Sequence, residues 1–286
     1  MPYTAHALRA PRLAPRLAGA LGALACTLAA LGWGNAAHAD EACKQLLASG
    51  NPEYPPYLWR DPEDENRLVG ANTELMQWLA KEIGVPIEVR YSGPWGRVQE
   101  EVRLGHVDLI AGAFFTVPRT EYMDYFYPAF QETRSAIWTR GDNKALPFKR
   151  WGDLVGKQGV TVINNSFGEE FDRYAKDKLR INQVASLEQA IQIVQSGRAD
   201  YLVYEDSPGQ AFLARRSIND VKMLGEPVAR ENLYLTLSHK STCNTPEMRG
   251  RIARALYKLN HDKAMGSFVD KGIQLWRKQS AKPATG

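Results

Sequence analysis

Residues 108–130 hold the clearest chemical signal in the chain. They begin Asp-Leu-Ile-Ala-Gly-Ala-Phe-Phe-Thr-Val-Pro-Arg, an apolar run that stops at Thr116 and is followed by Arg119. A threonine at a helix start can accept from the free backbone N–H groups there, and those groups attract anions. A guanidinium beside them offers a planar fork that fits a carboxylate in two hydrogen bonds. Strand, Thr-x-x-Arg and helix therefore read as a carboxylate receptor. The plainer alternative is a capped surface helix with a solvated arginine.

Other chemistry is thinly signalled. No Gly-x-Ser-x-Gly elbow occurs. Gly152-Asp-Leu-Val-Gly156-Lys157-Gln158 lacks one spacer residue and the Ser/Thr of a phosphate loop. Beyond residue 39 the histidines His106, His239 and His261 stand apart, and there is no Cys-x-x-Cys. Neither a metal site nor a cofactor is expected.

The N-terminus reads as a targeting segment. Arg9, Arg12 and Arg16 precede an uncharged run over 17–31, and Ala37-His38-Ala39 forms a small-x-small cleavage site before Asp40. The run is short for a membrane span, so residues 1–39 are expected to be a cleaved signal peptide and the mature protein periplasmic. Cys26 lies within the run, where hydrophobic sequence continues after it, so no lipid is expected on it. Cleavage would remove three of the 36 basic residues and none of the 32 acidic ones, lowering the net charge from +4 to +1. So near-neutral a chain argues against nucleic acid as a partner. Cys43 and Cys243 remain, and in an oxidising compartment an even pair reads as a disulfide.

The surrounding elements alternate. Val98-Gln-Glu-Glu-Val-Arg-Leu-Gly105-His-Val-Asp108 and Ile191-Gln-Ile-Val-Gln-Ser-Gly197-Arg-Ala-Asp200 echo each other: helix end, Gly closing it, then Asp and an apolar strand. The first strand runs into Thr116–Arg119 and the second into Glu205-Asp206-Ser207. Asn72 reads as the cap of a helix carrying Leu75, Leu79 and Ile83, closed by Gly84. Ser166-Phe-Gly-Glu169 and Ser186-Leu-Glu-Gln189 match capping boxes. The stretch 246–276 reads as helical, with a frayed tail over 277–286. Strands alternating with helices make this an α/β protein.

In order and spacing the motifs resemble the bacterial family 3 extracellular solute-binding proteins, periplasmic amino-acid receptors of ABC importers. The resemblance runs from about Asn51 to Trp276. It rests on Tyr54-Pro-Pro-Tyr57, Gly70-Ala-Asn-Thr-Glu-Leu75, Gly105-x-x-Asp108, Thr116-x-x-Arg119, Asp124-Tyr-Phe-Tyr-Pro128 and Trp151-Gly-Asp-Leu-Val-Gly-Lys157. It implies the type II periplasmic binding protein fold, two lobes joined by two crossover strands that close on a ligand. The lobes would be 40–140 with 229–286, and 141–228. In such proteins Arg119 would hold the ligand's α-carboxylate with help from the backbone of 114–116, including Phe114 and Thr116. Tyr54 would stack on the ligand, and Asn165 and Ser166 would donate from the second lobe. Glu205, with Asp206 beside it, would take an α-ammonium. Ser207 as helix cap with Pro208 after it is a competing reason for acid at that place.

This chain departs from the family at Phe114, at Asn165 and at Ala71-Asn72, and the two phenylalanines at 114–115 favour an aromatic or aliphatic ligand over a basic one. Asp108, Asp200 and Trp95 read as structural. The expected function is a non-enzymatic, monomeric receptor that delivers an amino acid or related carboxylate to an ABC permease. Two alternatives share the fold: an exported cyclohexadienyl or arogenate dehydratase with Glu205 as acid or base, and a sensory receptor presenting ligand to a membrane signalling partner.

Overall fold

A computed structural model describes residues 43–141 and 146–280. The targeting segment, with Cys26 and the cleavage site, lies outside the described residues. From the N-terminal end come β1 (Leu46–Ser49), β2 (Glu53–Tyr54), β3 (Leu58–Asp61), β4 (Asp64–Val69), α1 (Ala71–Ile83), β5 (Ile87–Val89), α2 (Trp95–Leu104), β6 (Leu109–Phe114), β7 (Met123–Tyr125) and β8 (Gln131–Arg140). There follow β9 (Gln158–Val162), α3 (Glu169–Lys178), β10 (Arg180–Val184), α4 (Leu187–Gln195), β11 (Tyr201–Glu205), α5 (Asp206–Arg215), β12 (Val221–Ser238), α6 (Pro246–His261) and α7 (Met265–Ser280).

The large sheet has the order β10-β9-β11-β8-β12-β6-β1-β5, with β7 also on β12. β8 and β12 lie side by side at its centre, antiparallel from Val221↔Arg140 to Leu233↔Gln131. β12 then runs on to pair with β6 through Leu237↔Leu109. These two strands are the crossovers of a type II periplasmic binding protein fold, and a parallel α/β half lies on either flank. One half buries Leu46, Leu75, Leu79, Leu235, Ile252 and Leu256 together. The other buries Val160, Leu187, Ile191, Val194 and Leu202.

The echoed Gly-x-x-Asp pattern has one local job in both halves. Gly105 and Gly197 take positive φ, 84° and 71°, just past the ends of α2 and α4. Three residues on, Asp108 accepts the Leu47 N–H of β1 at 2.8 Å, and Asp200 accepts the Gln158 N–H of β9 at 2.7 Å. Each aspartate thus has a structural role, securing a neighbouring parallel strand rather than a turn.

Several local expectations need correction. Gly70, at φ 128°, stands before α1, and Asn72 lies inside the first turn without capping it. A side chain at Gly70 would meet the Tyr57 carbonyl, so glycine holds the cap position there. Ser166 does not cap α3, which begins after Gly168, because its hydroxyl donates to Asp172 instead. Ser186 does cap α4, accepting from Gln189 N–H at 3.2 Å. The C-terminal stretch is two helices, broken where Lys263 takes φ 51°. The helix continues to Ser280, because Gln279 is tied to Trp59 and Asp61 on β3.

Candidate functional site

β6 is buried along its length and delivers its last residue, Phe114, to the junction of the two halves. The turn after it is a five-residue 3-10 helix, Val117–Glu121, and Thr116 makes no side-chain cap bond to it. The N–H of Val117 goes to Glu169 Oε2 at 3.2 Å, and Pro118 has none to offer. Val117 and Pro118 therefore leave no backbone donor for an anion, and Arg119 is the charged donor at this turn. Thr116 borders a neighbouring opening rather than the pocket described below.

Arg119 is only 6 % exposed. Its Nη1 donates to the Phe114 carbonyl at 3.0 Å, its Nε to Gln99 Oε1 at 3.2 Å and its Nη2 to the Asn164 carbonyl at 3.3 Å. Guanidinium carries five N–H groups, so one on each terminal nitrogen remains beyond these three bonds, with the Tyr122 and Tyr125 hydroxyls as neighbours. The solvated arginine of the plainer reading does not describe this side chain. Trp95 lies beneath it, 5.3 Å from guanidinium carbon to ring centre.

The opposing half meets Arg119 through one peptide. Asn164 takes φ 60°, a conformation asparagine tolerates better than most residues. Its carbonyl accepts from Trp95 Nε1 at 3.1 Å and Gln99 Nε2 at 3.3 Å as well as from Arg119. Next to it, Asn165 Nδ2 is buried with no acceptor. Ser166 is committed within its own loop, donating to Asp172 and accepting from the Gly168 N–H.

Glu205 ends β11 and is 4 % exposed, and its Oε2 is buried without a donor. Burial pushes its carboxyl up to about 8, and the neighbouring Asp206 charge acts in the same direction; Arg119 offsets only part. Asp206 is otherwise engaged. Its carboxylate accepts Arg134 Nε at 2.7 Å and the Ser207 N–H at 2.6 Å, and it does not border the pocket. The helix α5 starts at Asp206, so Ser207 is not its cap.

Tyr54, Phe114, Arg119, Asn165, Ser166 and Glu205 line one pocket between the halves. Its volume is about 30 Å³, room for about two water molecules. The halves also touch beyond it: Glu53 Oε2 accepts the Leu187 N–H at 3.0 Å, and the Tyr204 hydroxyl donates to the Glu53 carbonyl at 2.9 Å. Sequence reasoning missed Asn72, Gln99 and Asn164. Asn72 carried a signal, an amide where the family has an acid, but it was read as a cap. Gln99 and Asn164 carried none: Gln99 reaches Arg119 from α2, distant in the chain, and Asn164 meets it only where the halves come together. Among the described residues no cluster of three or more His, Cys, Asp or Glu is arranged to hold a metal ion.

A disulfide joins Cys43 and Cys243 across 200 residues. Among the described residues no helix is long and apolar enough to cross a membrane.

Among curated proteins, the chain is 22 % identical over 219 residues to the L-cystine-binding protein TcyA of Bacillus subtilis, covering 76 % of this chain and 77 % of that one. A shorter match, 28 % over 144 residues, is to the membrane-bound lytic murein transglycosylase F of Aeromonas hydrophila; it covers 48 % of this chain and 28 % of the relative. Among solved structures, a histidine kinase sensor domain with similarity to periplasmic binding proteins superposes with TM-score 0.69 at 20 % identity, covering 81 % of this chain and 96 % of that one. An amino acid ABC transporter substrate-binding protein, AbpA of Streptococcus pneumoniae bound to L-arginine, gives 0.66 at 18 % identity, covering 84 % and 97 %. A profile of the bacterial extracellular solute-binding proteins, family 3, matches residues 46–274, and the chain belongs to that family.

Proposed function

We propose that this protein captures a small zwitterion, an amino acid, and does no chemistry on it. The observation that carries the reading is one pocket holding two complementary groups. Arg119 has an N–H on each terminal nitrogen that a carboxylate can draw from the weaker tyrosine hydroxyl acceptors, and the orphaned Asn165 Nδ2 lines the same pocket, a donor set suited to a carboxylate. Glu205 Oε2 lacks a donor, which an ammonium supplies. Tyr54 and Phe114 provide apolar wall. The pocket is too small for such a ligand as it stands, so residues 40–140 with 229–286 part from 141–228 to admit it. The protein works in the periplasm after loss of residues 1–39 and hands its ligand to an ABC permease, as a monomer.

A thermal-shift screen of amino acids and small carboxylates tests this. Ligand at 100 times Kd adds about 2.7 kcal/mol of stability, and desamino analogues should add far less. Absence of any shift across the amino acids would sink the reading.

The buried, protonated Glu205 favours one second reading, an exported dehydratase using it as general acid. Incubation with prephenate or arogenate, followed by a search for an aromatic product, separates the two.

A further inference from the structure

Asn72 is 1 % exposed in the first turn of α1, and its side chain lies against β6. Nδ2 donates to the Ala111 carbonyl at 2.6 Å. A carbonyl only accepts, so this contact fixes which way round the amide lies. The other arm, Oδ1, is buried without a donor. Asn72 lines the pocket that holds Arg119 and Glu205.

Two neighbours shape that part of the pocket. Gly112 takes φ 113°, and a side chain there would come to 3.1 Å from Asn72 Nδ2 and 3.2 Å from the Phe130 ring. Glycine there lets the Asn72 amide lie close against the strand with Nδ2 on the Ala111 carbonyl, leaving Oδ1 as its unpaired arm. Leu58 and Leu233 add apolar wall. A polar acceptor left unpaired beside apolar walls is costly unless a ligand supplies the missing donor.

Distance and charge narrow what that donor is. Asn72 hangs from the Ala111 carbonyl and Arg119 from the Phe114 carbonyl. Three residues of strand separate those anchors by at most on the order of 10 Å. Both groups thus lie within the span of one small ligand, so its carboxylate and the missing donor belong to the same molecule. Glu205 is the one carboxylate among the described residues lining the pocket. With Glu205 on the α-ammonium, a cationic side chain beside Asn72 would be buried without a counter-charge, at high cost.

We propose that Asn72 Oδ1 is a specificity-determining acceptor, and that the ligand is an amino acid whose neutral side chain carries a hydroxyl or amide donor. This rests on the amino-acid reading of the pocket.

Calorimetry on matched pairs tests it: serine with alanine, threonine with valine, asparagine with leucine, glutamine with methionine, and arginine and lysine alongside. In at least one pair the donor-bearing member should bind about tenfold tighter or more than its partner, and tighter than arginine or lysine. In Asn72→Leu that ratio should fall to near one or invert. A merely structural role for Asn72 would weaken both members equally and keep the ratio. Should Asn72→Leu fail to fold, the wild-type ratios decide alone. Amino-acid binding with the apolar member preferred in every pair, or with arginine or lysine tightest, overturns the role of Asn72 and leaves the proposed function standing. Binding of no amino acid overturns both.

Discussion

In the proposed receptor, Glu205 ties ligand capture to proton balance. Its folded pKa of about 8 lies above the ordinary 4.5, so the folded state holds a proton that the unfolded state releases between those values. Stability of the ligand-free protein should therefore fall as pH rises from about 4.5 to 8. Glu205→Gln should remove that part of the slope in chemical melts run across the window. Glu231, raised to about 7, contributes a further slope that the variant leaves in place. An arriving ammonium favours the charged form of Glu205, so binding near pH 6–7 should release close to one proton. Calorimetry in buffers of different ionisation enthalpy would detect it, and no proton release would count against an ammonium at Glu205. On the same proposal Arg119 holds the ligand's other end. Arg119→Ala should cost roughly 2–5 kcal/mol of binding, about 30-fold to several-thousand-fold in Kd, and Arg119→Lys should recover only part, since a point charge cannot rebuild the fork. Unchanged affinity in Arg119→Ala would remove the carboxylate site.

Two helix starts separate stability from binding. Ser186 caps α4 in the second half, and it does not border the pocket. Ser186→Ala should cost about 1 kcal/mol in denaturant unfolding and leave Kd alone. Gly70 precedes α1, where a Cβ would lie 2.5 Å from the Tyr57 carbonyl. Gly70→Ala has no easy relief, because the obstacle is backbone and φ is 128°. It should cost more than the Ser186 change, and by shifting the first turn of α1 it should displace Asn72 and weaken binding as well. Equal Kd in both variants would mean that α1 does not set the pocket. The same comparison explains the legibility of these elements. Ser-x-x-Gln at 186–189 was readable because a serine cap needs only residues within one turn. Gly70 was hidden because its need arises from Tyr57, brought alongside by the β3–β4 hairpin.

For the whole molecule, the Cys43–Cys243 bond closes a 200-residue loop. The chain-entropy model gives about 5 kcal/mol for so long a loop, best taken as an upper value. Cys43→Ser with Cys243→Ser should lower unfolding stability by up to that amount. Non-reducing peptide mapping checks the bond directly, and two free thiols would contradict it. Because both cysteines pack with the core of the β1–β6 half, the double variant should leave ligand affinity nearly unchanged.

The sequence by itself determined the α/β alternation, the Gly-x-x-Asp supports, the paired cysteines and the family resemblance that pointed to Arg119 and Glu205. Those signals are carried by residues close in the chain, where periodicity, capping and turn geometry act, or by motif order along it. Only the tertiary structure decided which donors and acceptors are left over. The Val117 N–H at the start of the turn is taken by Glu169 from the other half. Asp206 leaves the pocket because Arg134, 72 residues away, binds it. Asn72 becomes a pocket group because β6 offers it a carbonyl 39 residues on. Whether a polar atom is spent or free depends on which distant strand or loop lies within about 3 Å of it, and no local pattern records that distance.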